Sequence, residues 1–474
     1  MKHTKIVATL GPASEKKDIQ REMIQAGANV FRLNFSHGDH TWHTKMINQI
    51  RELSVELRLP IAILADLQGP RIRTEVAFPI DVKKHFSVKV SDLDHRKNFP
   101  ADEPVVFLDT PGILEALAPG HRILIEDGLM QLVVSKVQKG FVETEVQNDG
   151  TLKNRKGIIL PDTPMLLPIL SEKDRDDLKL AIQEEVDYIG LSFVGSAADV
   201  EKVRSLIKEV VGETGQGPLL CAKIERQEAI KNLTAIIEAS DAVMVARGDL
   251  GIEMPESEVI ILQKEIIAES LRHMKPVIVA TQMMQSMVGN PRPTRAEVSD
   301  VSNAVIDHTD AVMLSEESAA GKYPVETIAT MREIIEKTEE SRFDDLYRTM
   351  DVNLKNEYAV MMRSVSELAE SYSAKAILCL SMSGFTARLI SHFRPGTALY
   401  IGTNSKATWQ SLALVWGIES VLFDGDQNLD TLGDRLMERL KSEGKLVAGD
   451  QVVVFLGRTP KEDTLRLVGM RTVQ

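Results

Sequence analysis

Short runs of Val, Ile, Ala and Leu recur through the first two thirds of the chain, each followed by a helical stretch or a short turn. That rhythm limits the fold more than any composition does. The runs fall at 5–10, 29–35, 61–66, 188–193, 219–225, 242–247, 276–281 and 311–315. Helical spacing fills most of the gaps, at 18–26, 40–58, 172–185, 197–211, 226–239, 256–273, 296–307 and 324–340. Eight such units predict an α/β chain built on a (β/α)8 TIM barrel, with its site at the C-terminal strand ends. A doubly wound open sheet fits the same alternation; the count of eight favours the barrel.

One connection breaks the rhythm. After the third run the pattern changes to period two, as in Arg-Ile-Leu-Ile-Glu-Asp-Gly-Leu-Met-Gln-Leu-Val-Val, with turn signals at Asp127-Gly128, Lys139-Gly140 and Asp149-Gly150. An inserted all-β domain is expected over 68–165. On a loop at the catalytic end of a barrel it would act as a mobile lid, although a decorative insertion has the same pattern. Residues 1–67 and 166–338 then form the barrel. From 339 to 474 a third α/β domain is expected, with strands at 376–380, 398–402, 419–423 and 451–456.

A chain of 474 residues exceeds one core. Its formal charge of −13 argues against nucleic acid or an acidic membrane as partner, so an anionic substrate must be held by local cations. Cys221 and Cys379 both lie in apolar runs, as core thiols of a reduced compartment do. No apolar run approaches the ~20 residues that span a bilayer. Met-Lys-His-Thr-Lys runs straight into the first strand, without room for a signal peptide. A cytoplasmic location is expected.

The residues that carry chemistry cluster at strand ends. Lys223 and Glu225 share one face of the fifth strand, because side chains alternate. Asp249 follows the sixth strand, where Gly248 allows the backbone a close turn around a ligand. If these strands are neighbours, one ammonium and two carboxylates converge, which suits a divalent metal holding an anionic substrate. A buried Lys–Glu ion pair beside a helix-capping Asp fits the same residues. Arg32, Asn34 and Ser36 share a polar face at the end of the second strand, where a solvated strand end is the plainer account. Arg32 suits phosphate; Asn34 and Ser36 suit a monovalent cation or nucleotide phosphates. Asp66 closes the third strand, Gly69-Pro70 opens the insertion, and Arg71 and Arg73 follow as a polyphosphate clamp beside Arg32. Thr281 and Ser315, ending the seventh and eighth strands, put hydroxyls at the same mouth to place a water or move a proton. Thr294-Arg-Ala-Glu297 reads as a capping box. In the last domain Ser381, Ser383, Gly384 and Thr386 join a strand to a helix, and such a loop is either a simple cap or an anion site.

Taken together these stretches resemble the pyruvate kinase family over essentially the whole chain. The matching segments are Lys-Ile-Val-Ala-Thr-Leu-Gly-Pro-Ala at 5–13, Arg-Leu-Asn-Phe-Ser-His-Gly at 32–38 and Ala-Lys-Ile-Glu at 222–225. Val-Ala-Arg-Gly-Asp-Leu-Gly at 245–251, Ala-Thr-Gln-Met-Met at 280–284 and Pro-Arg-Pro-Thr-Arg-Ala-Glu at 291–297 match as well. The resemblance implies the glycolytic transfer of a phosphoryl group from phosphoenolpyruvate to ADP, with Mg²⁺ (or Mn²⁺) on Glu225 and Asp249. It implies Lys223 against the transferring group, Arg32 and Arg73 on phosphates, and backbone N–H groups near Gly248 and Asp249 on the substrate carboxylate. Thr281 and Ser315 would stand near the enolate, and Asn34, His37, Arg73 and Lys156 would hold the nucleotide. A homotetramer is implied, with the 295–307 helix and Arg295 at an interface and an effector site in the last domain.

Three departures stand out. The commoner family form after the third strand is Asp-Thr-Lys-Gly-Pro-Glu-Ile-Arg; here Leu67, Gln68 and Arg71 replace Thr, Lys and Glu. Family members with a basic residue at the position of Arg71 tend not to need K⁺, so Arg71 is expected to stand in for the monovalent cation. Asn34, Ser36 and Asp66 form the K⁺ site if one is used. Glu316 occupies a position where the family usually has a small residue. The segment 457–466 lacks the family's Gly-rich turn, which favours a sugar or nucleotide monophosphate effector over a bisphosphate. Two other readings compete: a Mg²⁺-dependent barrel lyase acting through a pyruvate enolate, and a non-catalytic phosphometabolite sensor.

Overall fold

The computed structural model describes residues 2–163, 167–212, 215–344, 357–423, 429–456 and 467–474. Eight parallel strands close into a barrel: Lys5–Thr9, Val30–Asn34, Ala62–Asp66, Tyr188–Leu191, Leu219–Ile224, Ala242–Ala246, Val277–Ala280 and Ala311–Leu314. All eight expected strands are there, and the last pairs with the first (Lys5 against Ala311), so the sheet is closed rather than doubly wound.

Alternation along each strand explains how the barrel is filled. Ile6 and Ala8 pack outward against the helices, while Val7, Val30, Leu64, Tyr188, Cys221, Met244 and Ile278 fill the inside. Two residues further on, the inward positions become polar: Arg32 follows Val30, Asp66 follows Leu64, and Lys223 follows Cys221. One periodicity therefore builds both an apolar floor and a charged mouth. The floor is closed from outside by Ala413 and Leu414, and Tyr188 Oη donates to Ser411 O at 2.8 Å.

The insertion has its own core, with Val90, Val106, Leu132 and Val142 fully enclosed. It is itself a closed sheet of seven strands, joined by a two-stranded ribbon. Asp127-Gly128 and Lys139-Gly140 are hairpin turns, with positive φ at Asp127, Gly128 and Gly140. Asp149-Gly150 is not. Gly150–Leu152 pairs back to Ile80–Val82, and Asp149 Oδ1 accepts from Lys84 N. Composition marks a turn there, but the partner strand lies far away in sequence.

The last sheet runs Ile418–Leu422, Ala398–Thr403, Ala376–Leu380, Gln451–Leu456 and Leu467–Thr472. The fifth strand is antiparallel and was not legible in the sequence. Two local differences are instructive. The helical stretch 226–239 is split at Asn232 into Gln227–Lys231 and Leu233–Ala239. Gly248 does not turn the chain: it lies in the first turn of a helix, Arg247–Glu253, without a positive φ. Packing overrides the poor helix propensity of its two glycines. Thr294 and Glu297 form the expected capping box opening Arg295–Ile306.

Candidate active site

The mouth of the barrel is organised around Asp66. Its Oδ2 accepts from Arg32 Nε at 2.7 Å, and its Oδ1 lies 3.4 Å from Lys223 Nζ. Neighbouring register explains the meeting, since Asn34 pairs with Asp66 and Asp66 with Gly190. A Cβ on Gly190 would stand 2.9 Å from Asp66 Oδ1, so only glycine leaves room for the carboxylate. Lys223 Nζ also stands 3.2 Å from Glu225 Oε2 and donates to Ser192 Oγ at 2.7 Å. Glu225 Oε1 accepts from Phe193 N at 2.6 Å. Of the three groups expected to converge, Lys223 and Glu225 form an ion pair, with Asp66 and Ser192 beside them, while Asp249 stands in the first turn of Arg247–Glu253 and acts on both by its charge. Ser192 carried no motif; a polar residue ending the fourth strand was the available signal.

Burial and charge compete here. Burial alone would discharge Lys223, but Asp66, Glu225 and Asp249 hold its pKa above the ordinary lysine value. Burial pushes Glu225 up, with Asp249 adding to it while Lys223 opposes. Asp66 stays below the usual carboxylate range: burial opposes, and Lys223 and Arg32 outweigh it. Two buried oxygens, Asp66 Oδ1 and Glu225 Oε2, are met only by the long ion pairs to Lys223 at 3.4 and 3.2 Å. Buried carboxylate oxygens held only by such long ion pairs retain capacity for a further ligand.

Around this centre the other expected residues divide. Gly248 N donates to Thr281 Oγ1 at 2.8 Å, and that hydroxyl donates to Ala280 O. Thr281 and Gln282 both have positive φ, a strained conformation for a β-branched residue, held by Arg247 Nη2 on the Thr281 carbonyl. Ser315 closes the ring, its N–H donating to the buried Glu317. Glu316 points to solvent and accepts from Gln285, which gives it a surface role.

Asn34 Oδ1 accepts from Ser36 N, so Ser36 is no continuation of the strand face but part of a turn. His37 is exposed on the same turn. Asn34 and Asp66 are adjacent, but the filled oxygen of Asp66 faces Arg32 rather than Ser36. In the insertion, Lys156 pairs with Glu126, and Arg73 lies on the strand Ile72–Glu75. Arg71 is exposed at the hinge and lines, together with Asp249, Phe193 and Glu253, a cavity of about 90 Å³ between insertion and barrel. A larger cleft of about 770 Å³ opens between Gly128 and Gln131 on one side and Gly248 and Gln282 on the other.

In the last domain Gly384, with φ +74°, caps the helix Phe385–His392. Ser381 is buried, Ser383 is exposed, and Arg388 Nη2 reaches Ser383 O at 3.4 Å. The 457–466 segment lies outside the described residues.

Comparison with known proteins agrees with this architecture. Residues 1–328 match the model of the pyruvate kinase barrel domain, and 359–468 that of the pyruvate kinase alpha/beta domain. The chain belongs to the pyruvate kinase family. It is 41% identical to pyruvate kinase 2 of Synechocystis sp. over 429 residues, covering 89% of this chain and 71% of that protein. It is 38% identical to a pyruvate kinase of Staphylococcus epidermidis over 468 residues, covering 96% and 78%. A crystal structure of a pyruvate kinase from Cryptosporidium parvum superposes with a TM-score of 0.93 at 30% identity, covering all of this chain and 96% of that one. As a pyruvate kinase family member the chain is a phosphotransferase. Among the described residues no helix is long and apolar enough to cross a membrane.

Proposed function

We propose that the chain transfers the phosphoryl group of phosphoenolpyruvate to ADP, giving pyruvate and ATP, with Mg²⁺ on Glu225 and Asp249 and no need of K⁺. The observation that carries this reading is a buried lysine ion-paired to Asp66 and Glu225 at 3.4 and 3.2 Å and kept charged by these two and Asp249. No cluster of three or more His, Cys, Asp or Glu suited to a metal occurs among the described residues. Two carboxylates are nonetheless a fitting donor set for Mg²⁺, which commonly takes one or two and completes its shell with water and substrate oxygens. When bound, such an ion supplies Lewis-acid charge to substrate oxygens.

The protein groups then have distinct tasks. Lys223 brings a fixed positive charge to the phosphoryl group in transit, in a site too buried for water to screen it. Arg32, anchored through Nε and Nη2 on Asp66 and through Nη1 on Thr9 Oγ1, has one N–H left on each Nη to offer a phosphate oxygen. Asn34, His37, Arg73 and Lys156 receive the nucleotide, the last two delivered by the insertion as it closes. Thr281 and Ser315 stand where a proton reaches the enolate carbon. Gly248 N is taken up by Thr281, so the substrate carboxylate would have to displace that bond or use the N–H of Asp249.

Arg71 supports K⁺ independence, because its guanidinium lines the same cavity as Asp249 and brings a fixed monovalent charge to it. The loop 381–386 is proposed to take the phosphate of a monophosphorylated effector, with Arg388 alongside. Equal activation by a sugar monophosphate and a sugar bisphosphate would sink that preference. Assembly as a homotetramer and the domain limits at 68–165 and 339 belong to the same proposal.

The direct test is ATP formation from phosphoenolpyruvate and ADP with Mg²⁺, with and without K⁺. Strong activity without K⁺ is expected. Activity only with K⁺ would return Asn34, Ser36 and Asp66 to a cation site. No activity in either buffer would favour the lyase. An Arg71→Glu variant is expected to become K⁺-responsive, and an unchanged response would remove Arg71 from the role.

A further inference from the structure

We propose that Lys173 is a positioning residue that holds the 34–38 loop in place for the nucleotide and ties that loop to the hinge of the insertion. The inference rests on the reading of Asn34 and His37 as nucleotide contacts. Lys173 lies in the first turn of the helix Glu172–Gln183, where the chain has just returned from the insertion. Its ammonium donates to Phe35 O at 2.6 Å and to Asp177 Oδ2 at 2.6 Å. Asp177 is buried, and its other oxygen stands 2.8 Å from His40 Nε2.

The loop is held from a second side as well. Phe35 stacks on His43 at 3.9 Å with an interplanar angle of 3°, and His43 Nε2 lies 2.9 Å from His37 O. Burial keeps His43 below the usual histidine range, so a neutral ring makes that contact. Two consecutive odd-numbered carbonyls of the loop, Phe35 O and His37 O, are thus gripped by side chains, one by Lys173 and one by His43.

The residue next to Lys173 grips the hinge. Asp174 Oδ1 accepts from Gly69 N at 3.1 Å, and its Oδ2 accepts from Ser171 N and Oγ. Gly69 has φ +71°, and a Cβ there would meet Phe193 at 2.8 Å and Ser192 at 2.9 Å, so only glycine fits at this point of the hinge. One helical turn therefore holds the segment entering the insertion, the segment leaving it and the loop beneath it.

Lys173 is half exposed. Its partner Asp177 is buried, but that carboxylate keeps its contact with His40 when the ammonium is lost. What its ammonium adds is a charge-assisted bond to a main-chain carbonyl inside a functional loop. Lys223 and Arg32 sit on strands, Glu225 just past the end of one, and none shares a hydrogen bond with it, so the effect should fall on one substrate.

Steady-state kinetics on the full chain tests this. In Lys173→Met the KM for ADP should rise about tenfold, as for loss of one charged hydrogen bond, with kcat and the KM for phosphoenolpyruvate within about twofold. Lys173→Arg should recover most of the loss, and amide exchange at 36–37 should be faster only in the Met variant. His37→Ala serves as the control for the loop. A raised KM for ADP in His37→Ala with none in Lys173→Met would overturn the role of Lys173. No change in either variant would remove the nucleotide reading of the loop, and the inference with it. An equal loss for both substrates, unrecovered by Arg, would reduce Lys173 to a structural part.

Discussion

The two ends of the barrel bury charge in opposite ways. At the floor, Asp310 receives Arg394 on both oxygens, at 3.0 and 3.2 Å, and also accepts from Trp416 N and Val277 N. Arg394 further donates to His308 O and lies over the Trp416 ring, leaving only Nε without an acceptor. Lys5 Nζ donates to Ile418 O across the same junction. At the mouth, Asp66 and Glu225 each have one buried oxygen met only by a long ion pair to Lys223, at 3.4 and 3.2 Å. Both clusters are buried ion networks, and a count of salt bridges would not tell them apart. Saturation does: a closed network joins two domains, whereas an open one awaits a ligand.

The largest effect should come from breaking the open network. Lys223→Met is expected to lower kcat by about 10³-fold or more, since a positive charge fixed at the transferring phosphoryl group is lost. Stability should fall less than for a closed pair, because Glu225, already pushed up by burial, takes a proton and Asp66 keeps Arg32. Turnover and urea unfolding on the same preparation measure the two quantities. Activity within tenfold of the parent would end the assignment of Lys223.

The closed network should respond in reverse. Arg394→Met strands the Asp310 carboxylate and is expected to cost ~3–5 kcal/mol. Activity per folded molecule should stay within about twofold, because the pair lies at the opposite end of the strands from Lys223. A stability loss of under ~1 kcal/mol would mean the junction is wet and that saturation is a poor guide.

These two networks also show what a single sequence can and cannot carry. Arg32, Asp66, Lys223 and Glu225 were legible because strand periodicity is local: two residues beyond an inward apolar side chain comes an inward polar one. Their partners were less so. Ser192 meets Lys223 from 31 positions away and Arg394 meets Asp310 from 84 away, and no spacing encodes either. The helix Arg247–Glu253 was missed for a related reason, since its glycines argue against helix locally and only the barrel rim favours it. The antiparallel strand Leu467–Thr472 was missed because its register is set by Gln451–Leu456, not by its own sequence.

The smallest of the expected effects is a slope. Burial depresses Lys5 from the ordinary lysine value to about 8, against the pull of Glu419, Glu339 and Asp310. Between pH 8 and 10.5 the unfolded chain holds a proton on Lys5 that the folded one has released. Stability from this group is therefore fully present above 10.5 and is lost as the pH falls to 8, by up to ~3 kcal/mol. Comparing Lys5→Met with the parent chain isolates that slope from all other titrations. The difference in unfolding free energy should change across this window and be flat below it. A flat difference throughout would mean that Ile418 O and the surrounding carboxylates keep the ammonium as comfortable as water does. The floor would then be a solvated junction, and the contrast with the mouth would rest on Asp310 alone.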